Sequence, residues 1–93
     1  MSNEEKRVAD YYGLDAQINQ SMEEMAELIQ ALNKYRRANR SLIELRNVIE
    51  EIADVEIMLE QLKYLLDIEP ERIDMVKAFK IRRATDRAFG VIG

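Results

Sequence analysis

The sequence contains no cysteine, no histidine and no tryptophan. Without cysteine there is neither a disulfide framework nor a thiolate metal site, and without histidine there is no imidazole ligand and no usual general base near neutral pH. Metal binding or proton transfer therefore falls to carboxylates, amines, hydroxyls and amides. A basic surplus is missing too: 14 Lys and Arg stand against 18 Asp and Glu, for a formal net charge of -4. That balance argues against a dedicated nucleic-acid binder, which normally carries excess positive charge. No run approaches the roughly 18 uninterrupted apolar residues of a membrane span, and MSNEEKRVAD lacks the apolar stretch of a signal peptide. A cytoplasmic protein that does not engage a membrane is the expectation.

What is present is helical. One proline and three glycines in 93 residues leave few breaks, and strand-like alternation is almost absent. The chain reads as one domain over residues 1–93. A chain this short buries only part of its apolar surface alone, so self-association is expected. Ser2 or Asn3 can cap a short first helix that Gly13 stops. A long helix is predicted from about Asp15 to Arg37, with Ile18, Met22, Met25, Ile29 and Leu32 as its packing stripe. Ser41 followed by Glu44 reads as a capping box opening the next helix. There the stripe is Leu45, Val48, Ile52, Val55, Leu59, Leu62 and Leu66, a sustained three-four alternation. Pro70 suits the first turn of a last helix ending near Phe89. Its inward stripe begins with Ile73 and Val76 and continues as Lys80, Arg83 and Arg87, which suggests an anion site at one end.

The acidic residues have a pattern of their own. At about 100° per residue, Gln17, Gln20, Glu24 and Glu27 share a narrow sector beside the apolar stripe of the first long helix, and Glu51 and Asp54 do the same in the second. Each acidic pair is spaced i, i+3, one turn apart and close enough to share a cation. About three turns out from Glu27 to Asn39 and three back to Glu51 return the pairs to similar heights on antiparallel helices. Converging carboxylates repel one another and lose hydration, so they fit bound cations or perturbed protonation. All-oxygen ligation selects hard ions such as Mg²⁺ or Mn²⁺. Either pair alone is more often a solvated helix face, and it is the two pairs matched in height that point to a site. Lys80, Arg83 and Arg87 equally suit the dipole of a helix C-terminus, and Gln17 and Gln20 could be plain surface amides.

Glu23-Glu24-Met25-Ala26-Glu27 and Glu51-Ile52-Ala53-Asp54, with residues 28–50 between them, resemble the EExxE and ExxD motifs of the all-α nucleoside triphosphate pyrophosphatases, especially MazG-like proteins. The upstream Gln17 and the strings EEMAELIQALNKYRR and VIEEIADVEIMLEQL extend the resemblance, which covers about residues 11 to 89. It implies an antiparallel helical bundle completed by oligomerisation, as a homodimer or homotetramer. It also implies Mg²⁺, with Mn²⁺ a possible substitute, held by Glu24, Glu27, Glu51 and Asp54, with Glu23 and Glu50 as neighbours. Lys80, Arg83 and Arg87 are similar to the family's C-terminal basic positions, and Lys34 is a weaker phosphate candidate. Many relatives place tryptophan or histidine near the base, and this chain has neither.

The implied reaction converts a nucleoside triphosphate and water to the monophosphate and pyrophosphate. One of the four carboxylates acts as general base, Glu27 being a candidate. Lys80, Arg83 and Arg87 would bind phosphates, while Gln17 and Gln20 contact sugar or base. Two alternatives come from other classes: a helical oligomerisation module with solvated acids, and a nucleotide sensor that binds without turnover.

Overall fold

A computed structural model describes residues 1–90, and residues 91–93 of the expected domain lie outside it. The described chain is all-helical: α1 (Asn3–Tyr12), α2 (Leu14–Arg37), α3 (Leu42–Leu65) and α4 (Pro70–Phe89). None of these helices is long and apolar enough to cross a membrane.

The helix ends follow local chemistry. Ser2 Oγ accepts from the Glu5 N–H at 3.1 Å and caps α1. Gly13 ends α1 and starts α2 in a single residue: its N–H donates to Ala9 O at 2.9 Å while its own carbonyl accepts from Gln17 N at 3.1 Å. Its φ of 85° and ψ of 172° are open to glycine and strained for other residues. A Cβ there would meet no atom within 4 Å, so the requirement comes from the backbone and not from crowding. Ser41 caps α3 by accepting from Glu44 N at 3.2 Å. Only this half of the expected capping box forms, for the Glu44 carboxylate accepts instead from Asn47 Nδ2 at 3.3 Å.

Two helices stop without glycine. Asn39 and Asp67 take the left-handed conformation, with φ of 57° and 54°, which short polar side chains tolerate better than most. Beyond them Arg40 N donates to Tyr35 O and Ile68 N to Lys63 O, both at 2.9 Å, closing the last turns of α2 and α3.

The α2–α3 hairpin is the body of the fold, and α1 packs across the end where α2 begins and α3 finishes. Ala9 of α1 is fully buried there. Tyr64 Oη donates to the Asp10 carboxylate at 2.8 Å, and Gln61 Nε2 donates to Glu5 O at 3.2 Å. By contrast, α4 makes no extended contact with the other helices and has no buried residue.

The seam inside the hairpin follows the apolar pattern in part on α3, through Val48, Val55 and Leu62, and departs from it on α2. On α2 the residues turned inward are Gln17, Ser21, Glu24, Leu28, Ala31 and Tyr35, in steps of four and three. Of the expected stripe, Met22, Met25, Ile29 and Leu32 are exposed and Ile18 is partly covered. On α3 the inward set is Val48, Glu51, Val55, Met58 and Leu62, while Ile52, Leu59 and Leu66 of the expected stripe are exposed. Both exposed stripes lie roughly 100° onward from the seam on their own helices. Equal rotations on antiparallel helices fall on the same side, so the hairpin has one apolar face. The opposite face carries Gln20, Glu27 and Lys34 from α2 with Asn47 and Asp54 from α3. A single chain thus leaves much of its best packing surface uncovered.

Candidate metal and nucleotide site

Antiparallel register brings the two acidic motifs together. Gln17 meets Gln61 at one end of the seam, and Ala31 shares a hollow with Asn47 farther along; between them Glu24 stands level with Asp54, and Glu27 with Glu51. One carboxylate oxygen each from Glu24, Glu51 and Asp54 lie within 4.8 Å of one another. Glu27 stands outside this group, exposed beside Glu51.

The electrostatics are unfavourable without a cation. Glu24 Oε2 and Glu51 Oε2 are sealed from solvent with no hydrogen-bond partner. Ionised carboxylates bring no proton to each other, so their contact is repulsive. Burial, opposed by the Gln20 hydrogen bond and reinforced by Glu27 and Asp54, holds the Glu24 carboxyl above its ordinary value of 4.5. Burial also raises Glu51, helped by the charges of Glu27, Asp54 and Glu24. Orphaned buried oxygens on converging carboxylates fit a hard divalent cation, which would satisfy them and cancel the repulsion.

Amides surround the acids. Gln20 Nε2 donates to Glu24 Oε1 at 2.8 Å. Gln17 is buried, its Nε2 donating to Gln61 Oε1 at 2.6 Å, while Ser21 Oγ donates to the Gln17 carbonyl at 2.6 Å. Two hollows flank the acids along the seam. One, of about 450 Å³, is lined by Tyr12, Gln17, Gln20, Ile57, Met58 and Gln61 among others. The other, of about 260 Å³, is lined by Glu27, Gln30, Ala31, Lys34, Asn47 and Glu51. A roomier depression of about 630 Å³ runs along the outside of α1, bounded by Arg7, Tyr11 and their neighbours. It contains none of the clustered carboxylates.

The structure therefore gathers Gln17, Gln20, Glu24, Glu27, Glu51 and Asp54 of the anticipated site residues. It does not bring Lys80, Arg83 and Arg87 to them. Those three line a shallow hollow on α4 itself, with Ala84. Lys34, given less weight in the sequence, is the basic residue bordering the acids within the chain. Gln61, Ser21 and Asn47 were not singled out from the sequence. The signal for Gln61 was its place on the same sector of α3 as Asp54, two turns farther on.

Compared with protein families, curated proteins and solved structures, the chain gives no match to any of them.

Proposed function

We propose that this chain is a Mg²⁺-dependent nucleoside triphosphate pyrophosphohydrolase. The observation that supports it most directly is the convergence of Glu24, Glu51 and Asp54, with two carboxylate oxygens buried and unpaired, in a chain that has neither histidine nor cysteine. Glu24, Glu51 and Asp54 would hold Mg²⁺, or Mn²⁺ in its place, with Glu27 at the rim. Held there, the ion would supply charge neutralisation on the phosphates and a water of lowered pKa. Glu27, facing the hollow beside Lys34, is the carboxylate best placed to take a proton from water. Lys34 can meet a phosphate oxygen in the same hollow. Gln20, anchored on Glu24, holds that carboxylate in position.

Assembly belongs to the same reading. The uncovered apolar face of the hairpin supports a homodimer or a homotetramer. Because α4 carries Lys80, Arg83 and Arg87 away from its own acids, it is suited to serve the acidic face of a second copy, where those residues would hold the departing pyrophosphate. The same apolar face would also suit a purely structural oligomerisation module. Purified protein assayed for pyrophosphate release from a broad panel of nucleoside triphosphates, with Mg²⁺ and with chelator, tests the proposal. Metal-dependent release from at least one nucleotide is expected. Nucleotide binding without hydrolysis would transfer the assignment to a sensor, and no binding at all to the structural module.

A further inference from the structure

We propose that the two hollows flanking the acids give the nucleotide one direction along the seam, nucleoside at the Tyr12 end and outer phosphates beyond Glu27, so that Lys34 of the same chain distinguishes a triphosphate from a monophosphate. The inference rests on the nucleotide reading above and adds substrate direction to it.

The order of the parts along α2 is set by the helix. Gln17 and Gln20 border the first hollow, Glu24 and Glu27 follow, and Gln30, Ala31 and Lys34 border the second. At 1.5 Å per residue, Lys34 stands about 10 Å beyond Glu27 and about 21 Å beyond Gln20. Side chains on a helix lean toward its N-terminus, so Lys34 reaches back toward the acids rather than away from them. The acids thus lie between two spaces, and a nucleotide with its phosphate at the acids must place its nucleoside on one side and its remaining phosphates on the other.

The two spaces are unlike. The first is the larger, about 450 Å³ against about 260 Å³. No residue lining it carries a charge, Ile57 and Met58 supply apolar surface, and the amides of Gln17 and Gln61 are engaged with each other. An uncharged nucleoside suits such a space, whereas a polyphosphate leaving water needs cations to meet it. The Tyr12 ring stands more than half exposed at the rim, braced edge-to-face by Tyr11 with centroids 4.9 Å apart, and offers a base aromatic surface. In the second hollow the lining is polar, and among the described residues Lys34 is the only cation lining either one. Glu51 and Glu27 form its near side, where a cation held by Glu51 would offset their charge, and Lys34 serves the far side. Because α2 and α3 run antiparallel, their end dipoles offset each other, and side chains decide which end receives the anion. The single phosphate of a monophosphate stops at the acids; only a longer phosphate chain extends to Lys34.

The test measures binding, not turnover. The α,β-imido triphosphates of adenosine, guanosine, cytidine and uridine are titrated calorimetrically with Mg²⁺ present, and the matching monophosphates are measured by displacement of them. Lys34→Ala is expected to weaken the triphosphates about fivefold and to leave the monophosphates within about twofold of wild type. Lys34→Arg should restore most of the loss, since it keeps the charge. Tyr12→Ala should weaken both members of each pair by the same factor, about tenfold, and leave their ratio standing. Circular dichroism confirms that each variant is folded. Unchanged triphosphate affinity in Lys34→Ala, an equal loss from both members of a pair in that variant, or a loss confined to triphosphates in Tyr12→Ala would overturn the direction while leaving the nucleotide reading intact. Failure of every ligand to bind the wild type would instead remove the nucleotide reading and this inference with it.

Discussion

Glu24 and Glu51 face each other across the α2–α3 seam, and each has its Oε2 sealed from solvent without a donor. They occupy seam positions where a coiled-coil pair would carry apolar residues. Metal-free protein accordingly holds two carboxylates that oppose its own folding.

That opposition has a definite dependence on pH. Both groups are raised above their ordinary value of 4.5 in the folded chain. Their neutral forms are therefore the ones compatible with the fold: the associated stability is complete below 4.5 and is lost as pH rises through the raised values. In chelator, Glu51→Gln should melt above wild type near neutral pH, and the difference should shrink toward pH 4.5. Mg²⁺ or Mn²⁺ should raise the wild-type Tm at neutral pH and do little for the variant. Melting curves across pH, with and without metal, decide this; an equal metal response in Glu51→Gln would remove that residue from the ligand set.

Catalysis and phosphate binding should fail in different ways. Glu27→Gln and Asp54→Asn are expected to reduce pyrophosphate release by at least about a hundredfold, with helical content retained. Lys80→Ala and Arg83→Ala should raise KM as well as lower kcat, because phosphate contacts act in both ground and transition states. Steady-state kinetics alongside circular dichroism separates the two groups. Full activity in Asp54→Asn would sink the metal-site assignment.

The destination of α4 can be tested because the chain has no cysteine. Gln30→Cys and Ala84→Cys, made in separate chains and mixed, are expected to join through a short bismaleimide into a product of twice the chain mass. The double variant in one chain should show the same intermolecular link. A link confined to single chains would mean that α4 folds back on its own hairpin. Light scattering at micromolar concentration should report at least a dimer, and Ile29→Lys, on the exposed apolar face, should shift it toward monomer.

Much of the fold was legible because helix ends are local events. Ser2, Gly13, Ser41 and Pro70 each act through their own backbone or a hydroxyl, and the elements begin and end at or beside them. Asn39 and Asp67, ending helices in place of glycine, give a weaker signal. The acidic cluster was legible too, because i, i+3 spacing and the hairpin length fix height. Seam choice on α2 was not. Ile29 and Met25 advertise the strongest apolar stripe of α2, yet within one chain the inward positions go to Gln17, Ser21 and Glu24. Apolar periodicity marks a surface suited to burial, not which neighbour covers it. Gln61 escaped notice for the same reason, since a buried glutamine becomes intelligible only once Gln17 and the Glu5 carbonyl are seen around it. Nor could the sequence foresee that α4 would carry its basic stripe clear of the hairpin.

Gly13 gives this architecture an unusual kind of fragility. Because one residue both closes α1 and opens α2, there is no slack loop between them to absorb a change in length. An extra residue at this joint would turn α1 by roughly 100° relative to α2, carrying Tyr12 off the rim of the hollow and Ala9 out of its buried seat. The glutamine relay from Gln17 through Gln61 to Glu5 would lose its last acceptor with the same rotation. Length at the joint between Tyr12 and Leu14 is thus constrained by backbone geometry alone.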